Sequence, residues 1–394
     1  MKNEKLLLYL LALTNFCHVL DMMVIMPLGN ELMEEFSIHP LQFSWLVSSY
    51  SISAGIASVL AAAYMDRFDR KILLLWTLGL FGISTLYCAY APTYNYFLLG
   101  RILTGTFGGL TSSVVIAIVS DLIPYQRRGK AMGILSMAFA FASVLGVPLG
   151  LFIADIWGWQ SPFLLIFFIT VTIGVVLVLV LPSMRQFINK TSKRNPIAEI
   201  KMLYKDNNAM VALGLAYTMV LGHFLIIPFI TPYSIRNIGI SQETIKYIYL
   251  VGGAFTLISA PLIGRYADRI GNYRMFRIML IGSLFSIFAI THLMTASLFL
   301  ILIITTSFFI FSSGRMIPAQ TMITGAVSAE IRGGFLSMRT ALIEFGAGTA
   351  SLISGWIITE LPDGKLDNYN YVGYLSIVIA FSTIYIASKV RRVE

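Results

Sequence analysis

Asp21, Arg101, His223, Arg315 and Glu344 are ionisable residues that fall inside long apolar runs. A charge held in hydrocarbon costs at least a few kcal/mol unless it meets a partner or a cavity. Side chains of these types in that setting suit proton or ion movement rather than bond making. An Asp that faces an Arg in a dry cavity is ionised while paired and protonated once the partner is drawn away, which outlines a proton switch. Two distances along the chain put Asp21 and Arg101 at similar depth. Counted from Lys5, Asp21 lies roughly 24 Å along one helix, in its outer half; Arg101 lies about 10 Å in from Tyr94 on a helix running the other way. His18 precedes Asp21 by three residues and shares its helix face, and His223 follows Asp21 by about 202 residues. Glu344 has Arg315 as its nearest plausible partner, with Arg339 a second choice. If Arg315 instead faces a cavity alone, it favours an anionic substrate, and spacing does not choose between these. No phosphate-binding loop, metal-ligand cluster or nucleophile arrangement occurs, so the chain is not read as an enzyme.

The elements that must hold these residues are set by composition. Hydrophobic residues make up 57% of the chain and charged ones 12%, with a mean hydropathy of +0.80. A water-soluble globular chain lies far from these values. A crossing needs about 20 residues, and twelve runs qualify: 6–28, 41–65, 72–91, 95–120, 131–156, 160–182, 207–231, 243–266, 274–294, 297–320, 333–358 and 370–390. The predicted fold is an all-α membrane protein of twelve spans. Residues 1–182 form the first six-helix bundle, 183–206 a cytoplasmic linker, and 207–394 the second bundle. Cys17 and Cys88 both sit in apolar runs and are read as small buried side chains rather than a disulfide. Lys2 and Lys5 precede an apolar run with no small-residue cleavage site, as expected of an uncleaved first helix.

Duplication is written into the chain. Ala62-Ala63-Tyr64-Met65-Asp66-Arg67-Phe68-Asp69-Arg70-Lys71 matches Gly264-Arg265-Tyr266-Ala267-Asp268-Arg269-Ile270-Gly271-Asn272-Tyr273, each copy following the second span of its half. Two repeated halves in a membrane protein suggest a transporter that rocks about a central site. A pseudo-twofold axis would set His223 opposite Asp21. The net charge of +9 is a topology signal rather than a nucleic-acid footprint. About 22 of the 28 Lys and Arg lie in the tails and the connections before the odd-numbered spans or at the span edges that flank them. About three, Arg236, Lys365 and Lys246 at a span edge, lie on the opposite side, and Arg101, Arg315 and Arg339 lie deeper within spans. The bias predicts both termini and the linker in the cytoplasm.

On these motifs the chain resembles the major facilitator superfamily, and within it the twelve-helix drug:proton antiporters and sugar-efflux branch. Asp66-Arg67-Phe68-Asp69-Arg70-Lys71 is similar to the family's Gly-x-x-x-Asp-Arg-x-Gly-Arg-Lys motif, with Ala62 and Asp69 replacing its glycines. Arg101-Ile102-Leu103-Thr104-Gly105 resembles its Arg-x-x-x-Gly motif. Gly146-Val147-Pro148-Leu149-Gly150, followed by Gly158-Trp159-Gln160-Ser161-Pro162-Phe163, resembles the antiporter motif of the efflux branches. Glycine and proline there allow close approach and bending, which a rocking interface uses.

The resemblance implies that Asp66, Arg67 and Arg70, with Asp268 and Arg269 in the second copy, serve the conformational cycle through charge contacts between helix ends, as do Gly146, Pro148 and Gly150 through packing. Asp121, Pro124–Gly129 and Glu330–Gly333 would complete the same layer. It also implies that spans 1 and 4 line a central cavity. The expected proton-coupling residues are Asp21, Arg101, His223 and Glu344, and the expected substrate cavity is His18, Asp21, Arg101, Tyr217, His223, Phe224 and Arg315. Phe16, Trp45, Tyr50 and Phe311 are further aromatic candidates. The function implied is a proton-coupled antiporter exporting a drug, sugar or metabolite by alternating access. The alternatives are uptake by proton symport of an anionic metabolite or siderophore-like compound, and a non-transporting receptor or assembly protein, against which the buried charges argue. No cofactor is expected, the proton gradient being the energy source. The expected partners are a small-molecule substrate, protons and the lipid bilayer, with no nucleic acid. The protein is expected to be a monomer in the bacterial inner membrane.

Overall fold

The computed structural model describes residues 4–187, 203–294, 296–328 and 331–393. Glu330, most of the 183–206 linker, and the side chains of Asp66, Arg128 and Arg332 lie outside what is described. Helices account for nearly all of it: α1 (Glu4–Val24), α2 (Gly29–Glu35), α3 (Pro40–Tyr64), α4 (Arg70–Ala89), α5 (Tyr94–Leu122), α6 (Tyr125–Phe141), α7 (Val147–Trp157), α8 (Ser161–Val180), α9 (Asn207–Phe224), α10 (Ile227–Tyr233), α11 (Ile245–Ile270), α12 (Asn272–Thr291), α13 (Leu298–Gly314), α14 (Met316–Thr324), α15 (Arg332–Ile357) and α16 (Tyr369–Lys389). A short antiparallel hairpin, β1 (Thr359–Glu360) and β2 (Leu366–Asp367), joins α15 to α16.

Eleven helical stretches among the described residues are long and apolar enough to cross a membrane. α15, the remaining long helix, lies outside that set and carries Arg332, Arg339 and Glu344. It occupies the place of the eleventh predicted span. Large apolar side chains such as Trp76, Phe285 and Leu179 are 68%, 74% and 80% exposed. In a chain whose backbone polar groups are satisfied within helices, such faces suit lipid rather than water.

The spans are not all continuous rods. Span 1 stops at Val24 and restarts at Gly29, with Pro27 between. Span 7 stops at Phe224 and restarts at Ile227, with Pro228 in the first turn of α10. Span 10 is interrupted at Arg315, between α13 and α14, with Gly314 before it and Pro318 in the first turn of α14. Span 5 passes through a π-helical turn at Ala142–Gly146 just before Pro148, whose missing N–H cannot bond the carbonyl four residues back.

The chain divides into two compact units, residues 1–25 with 49–196 and residues 26–48 with 197–394. The connection between spans 1 and 2, together with the first turns of α3 up to Ser48, therefore clusters with the second unit. Within the first unit, α1 packs on α5, α6 and α8, and α4 on α5 and α8. Within the second, α9 packs on α15 and α16, and α13 on α11 and α12.

Candidate functional site

In the first unit the site grows from glycines on α5. A Cβ on Gly105 would lie 2.2 Å from the Tyr50 carbonyl oxygen, and one on Gly109 would lie 2.4 Å from that of Ala54. Only glycine lets α5 approach α3 this closely. One turn before Gly105 the same helix presents Arg101. Its Nη1 donates to Asp21 Oδ2 at 2.7 Å and to the Asp21 carbonyl at 3.2 Å. Both side chains are fully buried, at 0% exposure. The second carboxylate oxygen, Asp21 Oδ1, is buried and accepts no hydrogen bond among the described residues.

Tyr50 ties His18 to this pair. The Arg101 guanidinium lies 4.4 Å from the Tyr50 ring centroid, a cation–π contact. The phenol oxygen lies 2.6 Å from His18 Nδ1 and 2.9 Å from the His18 carbonyl. One phenolic hydrogen serves one acceptor, so the consistent assignment has Nδ1–H donating to the phenol and the phenol donating to the carbonyl. Gly108 leaves room for this contact, since a Cβ there would meet His18 Nδ1 at 2.5 Å. The sequence offered Tyr50 only as one aromatic among many. The Arg101, Gly105, Gly108 spacing, which marks the face of span 4 that meets span 2, was the usable signal.

Span 5 supports α1 around Asp21. Cβ atoms on Gly146 and Gly150 would meet Leu20 at 2.7 Å and Val24 at 2.9 Å. Pro148 is buried in the same stretch. Asn15 links α1 to both neighbours, accepting from Ser112 and donating to the Leu135 carbonyl.

The second unit gathers a different set. Arg315 is 1% exposed and His223 6%. Arg315 Nη1 donates to Ser283 Oγ at 3.3 Å, and Nε makes no hydrogen bond among the described residues. The His223 ring stacks on Phe308 with centroids 5.8 Å apart and meets the edge of Phe224, also at 5.8 Å. Its Nδ1 makes no hydrogen bond among the described residues. Glu344 is buried on α15, 9% exposed. Tyr217 reaches the same helix, its hydroxyl 3.2 Å from Thr349 Oγ1, while Arg339 donates to Gln320.

The two copies of the Asp-Arg turn differ. In the first, Arg70 Nε pairs with Asp121 Oδ2 at 3.1 Å at the end of α5. Asp69 caps α4, accepting from the Lys71 N–H, and also accepts from Ser183 Oγ and the Met184 N–H. Burial alone would raise the Asp69 pKa, but those hydrogen bonds and Arg185 outweigh it and hold the carboxyl below its ordinary range. Arg67 is exposed. In the second copy Asp268 and Arg269 are exposed at the end of α11, with no ion pair among the described residues. Cys17 and Cys88 are free and buried, and no cluster that could hold a metal occurs among the described residues.

Apolar helices long enough to cross a membrane, interrupted where ionisable residues are buried and repeated in two halves, define a helical membrane transporter. A sequence profile of the Major Facilitator Superfamily matches residues 11–224 and 212–394. The chain belongs to that superfamily, whose members are secondary transporters rather than enzymes. It is 23% identical over 380 residues to the uncharacterized MFS-type transporter YbcL of Bacillus subtilis (strain 168), covering 95% of this chain and 93% of that protein. It is 24% identical over 352 residues to Multidrug resistance protein 2 of the same organism, covering 87% of this chain and 87% of that protein. Two solved structures share the fold. A bacterial homolog of the human lysosomal transporter Spinster, inward-facing and unoccupied, superposes with a TM-score of 0.78 at 16% identity, over 98% of this chain and 97% of that one. The D-xylose-proton symporter superposes with a TM-score of 0.77 at 17% identity, over 98% and 99%.

Proposed function

We propose that this transporter is a proton-coupled antiporter that exports a small organic molecule, a drug, sugar or metabolite, across the bacterial inner membrane by alternating access. Its termini face the cytoplasm, it works as a monomer, and the proton gradient is its energy source. The observation that carries this reading is the fully buried Asp21–Arg101 pair, bonded at 2.7 Å beside the interruption of span 1. Asp21 Oδ1 is the atom left to take the proton. Protonation neutralises the carboxylate, weakens its hold on Arg101 and alters the balance between two arrangements of the helices. Tyr50 keeps a π face on the guanidinium while the carboxylate is neutral. His223 and Glu344 are the coupling residues proposed for the second half. The buried glycine contacts of span 5, with the helix-end charges Arg70 and Asp121, serve the conformational step. The likeness to Multidrug resistance protein 2 supports efflux.

The test is proton movement in proteoliposomes challenged with drugs, sugars, amino acids and metal-chelating metabolites, comparing the unaltered protein with Asp21→Asn. Opposite movement of protons and one cargo class, reduced at least about tenfold in the variant, is the expected result. Proton-driven transport at the normal rate by Asp21→Asn removes the switch from Asp21, and movement of both species in one direction makes the protein a symporter.

A further inference from the structure

The two buried guanidiniums are not in equivalent surroundings. Arg101 has a carboxylate at 2.7 Å. Arg315 is buried to 1% exposure, and the one hydrogen bond of its guanidinium among the described residues goes to an uncharged hydroxyl, Ser283 Oγ, at 3.3 Å. A guanidinium presents five N–H donors and cannot lose its charge at physiological pH. Held in a dry interior with one long hydrogen bond, it is a cation missing its anion.

The chain next to the guanidinium leads directly into a second donor-bearing residue. A Cβ on Gly222 would lie 3.9 Å from Arg315 Nη2, so the guanidinium borders the backbone just before His223. The His223 ring is fixed by stacking on Phe308, and its Nδ1 has no hydrogen-bond partner. Both residues sit at helix interruptions, His223 at the last turn of α9 and Arg315 at the junction of α13 and α14. Broken spans let the surrounding backbone part without unravelling a whole helix.

We infer that Arg315 and His223 form a carboxylate-binding subsite within the second unit, and that the transported molecule carries a carboxylate. This rests on the reading of the chain as a transporter and specifies its substrate class. The planar fork of Arg315 matches a carboxylate in two parallel hydrogen bonds. The His223 Nδ1–H tautomer donates a third, and Phe308 and Phe224 contact the apolar body next to the charged group.

Thermal unfolding of the detergent-purified protein tests this with matched probes, acetate against acetamide and benzoate against benzamide, at constant ionic strength. A ligand that binds only the folded state raises the melting temperature with its concentration. The carboxylates are expected to stabilise the unaltered protein while the amides do not. The half-saturating benzoate concentration should rise at least about tenfold in Arg315→Gln and less in His223→Gln. Without ligand, Arg315→Gln and Arg315→Met should melt at or above the unaltered protein, because each removes a buried charge lacking a counter-ion; a merely structural arginine gives the opposite shift. Equal responses to benzoate and benzamide, an undiminished benzoate response in Arg315→Gln, or no carboxylate response in the unaltered protein each overturn the subsite. The measurement uses no gradient, so its failure leaves Asp21 coupling standing, and loss of coupling leaves this binding result intact.

Discussion

Asp69 stands where the resembled motif carries glycine, and its backbone explains why the exchange is tolerated. Asp69 has φ −64 and ψ 120, open to any residue, whereas Gly271 in the second copy has φ +93 and ψ 142. The first turn therefore trades glycine's freedom for a helix cap that also holds Ser183 and Met184. We expect Asp69→Asn to destabilise the protein by about 1 kcal/mol. Gly271→Ala, forced into a conformation that is essentially glycine's, should cost about 1–3 kcal/mol. Unfolding with pH separates the two. The folded pKa of Asp69 lies below its ordinary value of 3.8, so its contribution is fully present above that value and fades as pH falls through the depressed folded one. The gap between the unaltered protein and Asp69→Asn should thus be flat near neutrality and close in acid, while the Gly271→Ala deficit persists. Tyr50 gives a similar separation within the buried site. Tyr50→Phe keeps the ring over Arg101 but leaves His18 without its phenol partner, at about 1–3 kcal/mol. Tyr50→Leu removes the ring as well and should cost about 0.5–2 kcal/mol more, both read from denaturation midpoints.

At the level of helices, contacts divide the glycines into two kinds. Gly105 has the Tyr50 carbonyl 2.2 Å from where a Cβ would stand, and the obstacle is backbone, which cannot swing away; Gly133 has nothing within 4 Å. Gly105→Ala should cost on the order of 3 kcal/mol and lower the yield of folded, monodisperse protein. Gly133→Ala should instead raise the melting midpoint, by about 0.5–1 kcal/mol of stability, through helix propensity alone. Equal behaviour of the two variants would remove close α3–α5 packing as the reason for the Arg-x-x-x-Gly pattern. That pattern, the membrane class and most spans were legible in the sequence because each depends on the length of an apolar run or on a local motif. The pairing of Asp21 with Arg101 was legible too, since rise per residue sets depth. The interior breaks were less so. Runs 6–28 and 207–231 read as unbroken, yet the helices stop at Val24 and Phe224, because hydrophobicity does not change where Pro27 and Pro228 interrupt the hydrogen bonding. The position of Tyr50 between His18 and Arg101 was hidden for another reason. Which of 19 tyrosines meets a buried charge is decided by helix packing rather than by spacing along the chain.

For the molecule as a whole, the alternating access proposed above requires a closure that holds and then releases, and residues 26–48, the connection after span 1 with the first turns of α3, are the candidate for one. Residues 26–48 lie in the second unit, although α1 and the rest of α3 from Ser49 onward lie in the first. Arg236 fastens them: its Nε donates to Asn30 Oδ1 at 2.7 Å and its Nη1 pairs with Glu360 Oε1 at 3.0 Å, at only 13% side-chain exposure. His39 Nδ1 lies 3.6 Å from the other Glu360 oxygen, and Gln242 donates to Glu31. The hairpin bearing Glu360 is held in turn by Asn237, which donates to the Leu366 carbonyl and accepts from its N–H. Beneath this network Ser44 packs where a Cβ on Gly355 would come within 2.2 Å of its Oγ. Truncating Arg236 removes charge-assisted hydrogen bonds worth about 1.5–3 kcal/mol, and each 1.4 kcal/mol is tenfold in a two-state equilibrium. A cysteine at Ser44, in a protein whose own Cys17 and Cys88 are buried, reports that equilibrium through its rate of labelling by a membrane-impermeant maleimide. Ser44→Cys alone should label slowly. Adding Arg236→Ala should speed labelling about tenfold or more, and adding Arg236→Lys, which retains one charge contact, should speed it less. Unchanged labelling in the Arg236→Ala background would mean that Arg236 holds the hairpin in place without controlling access past it.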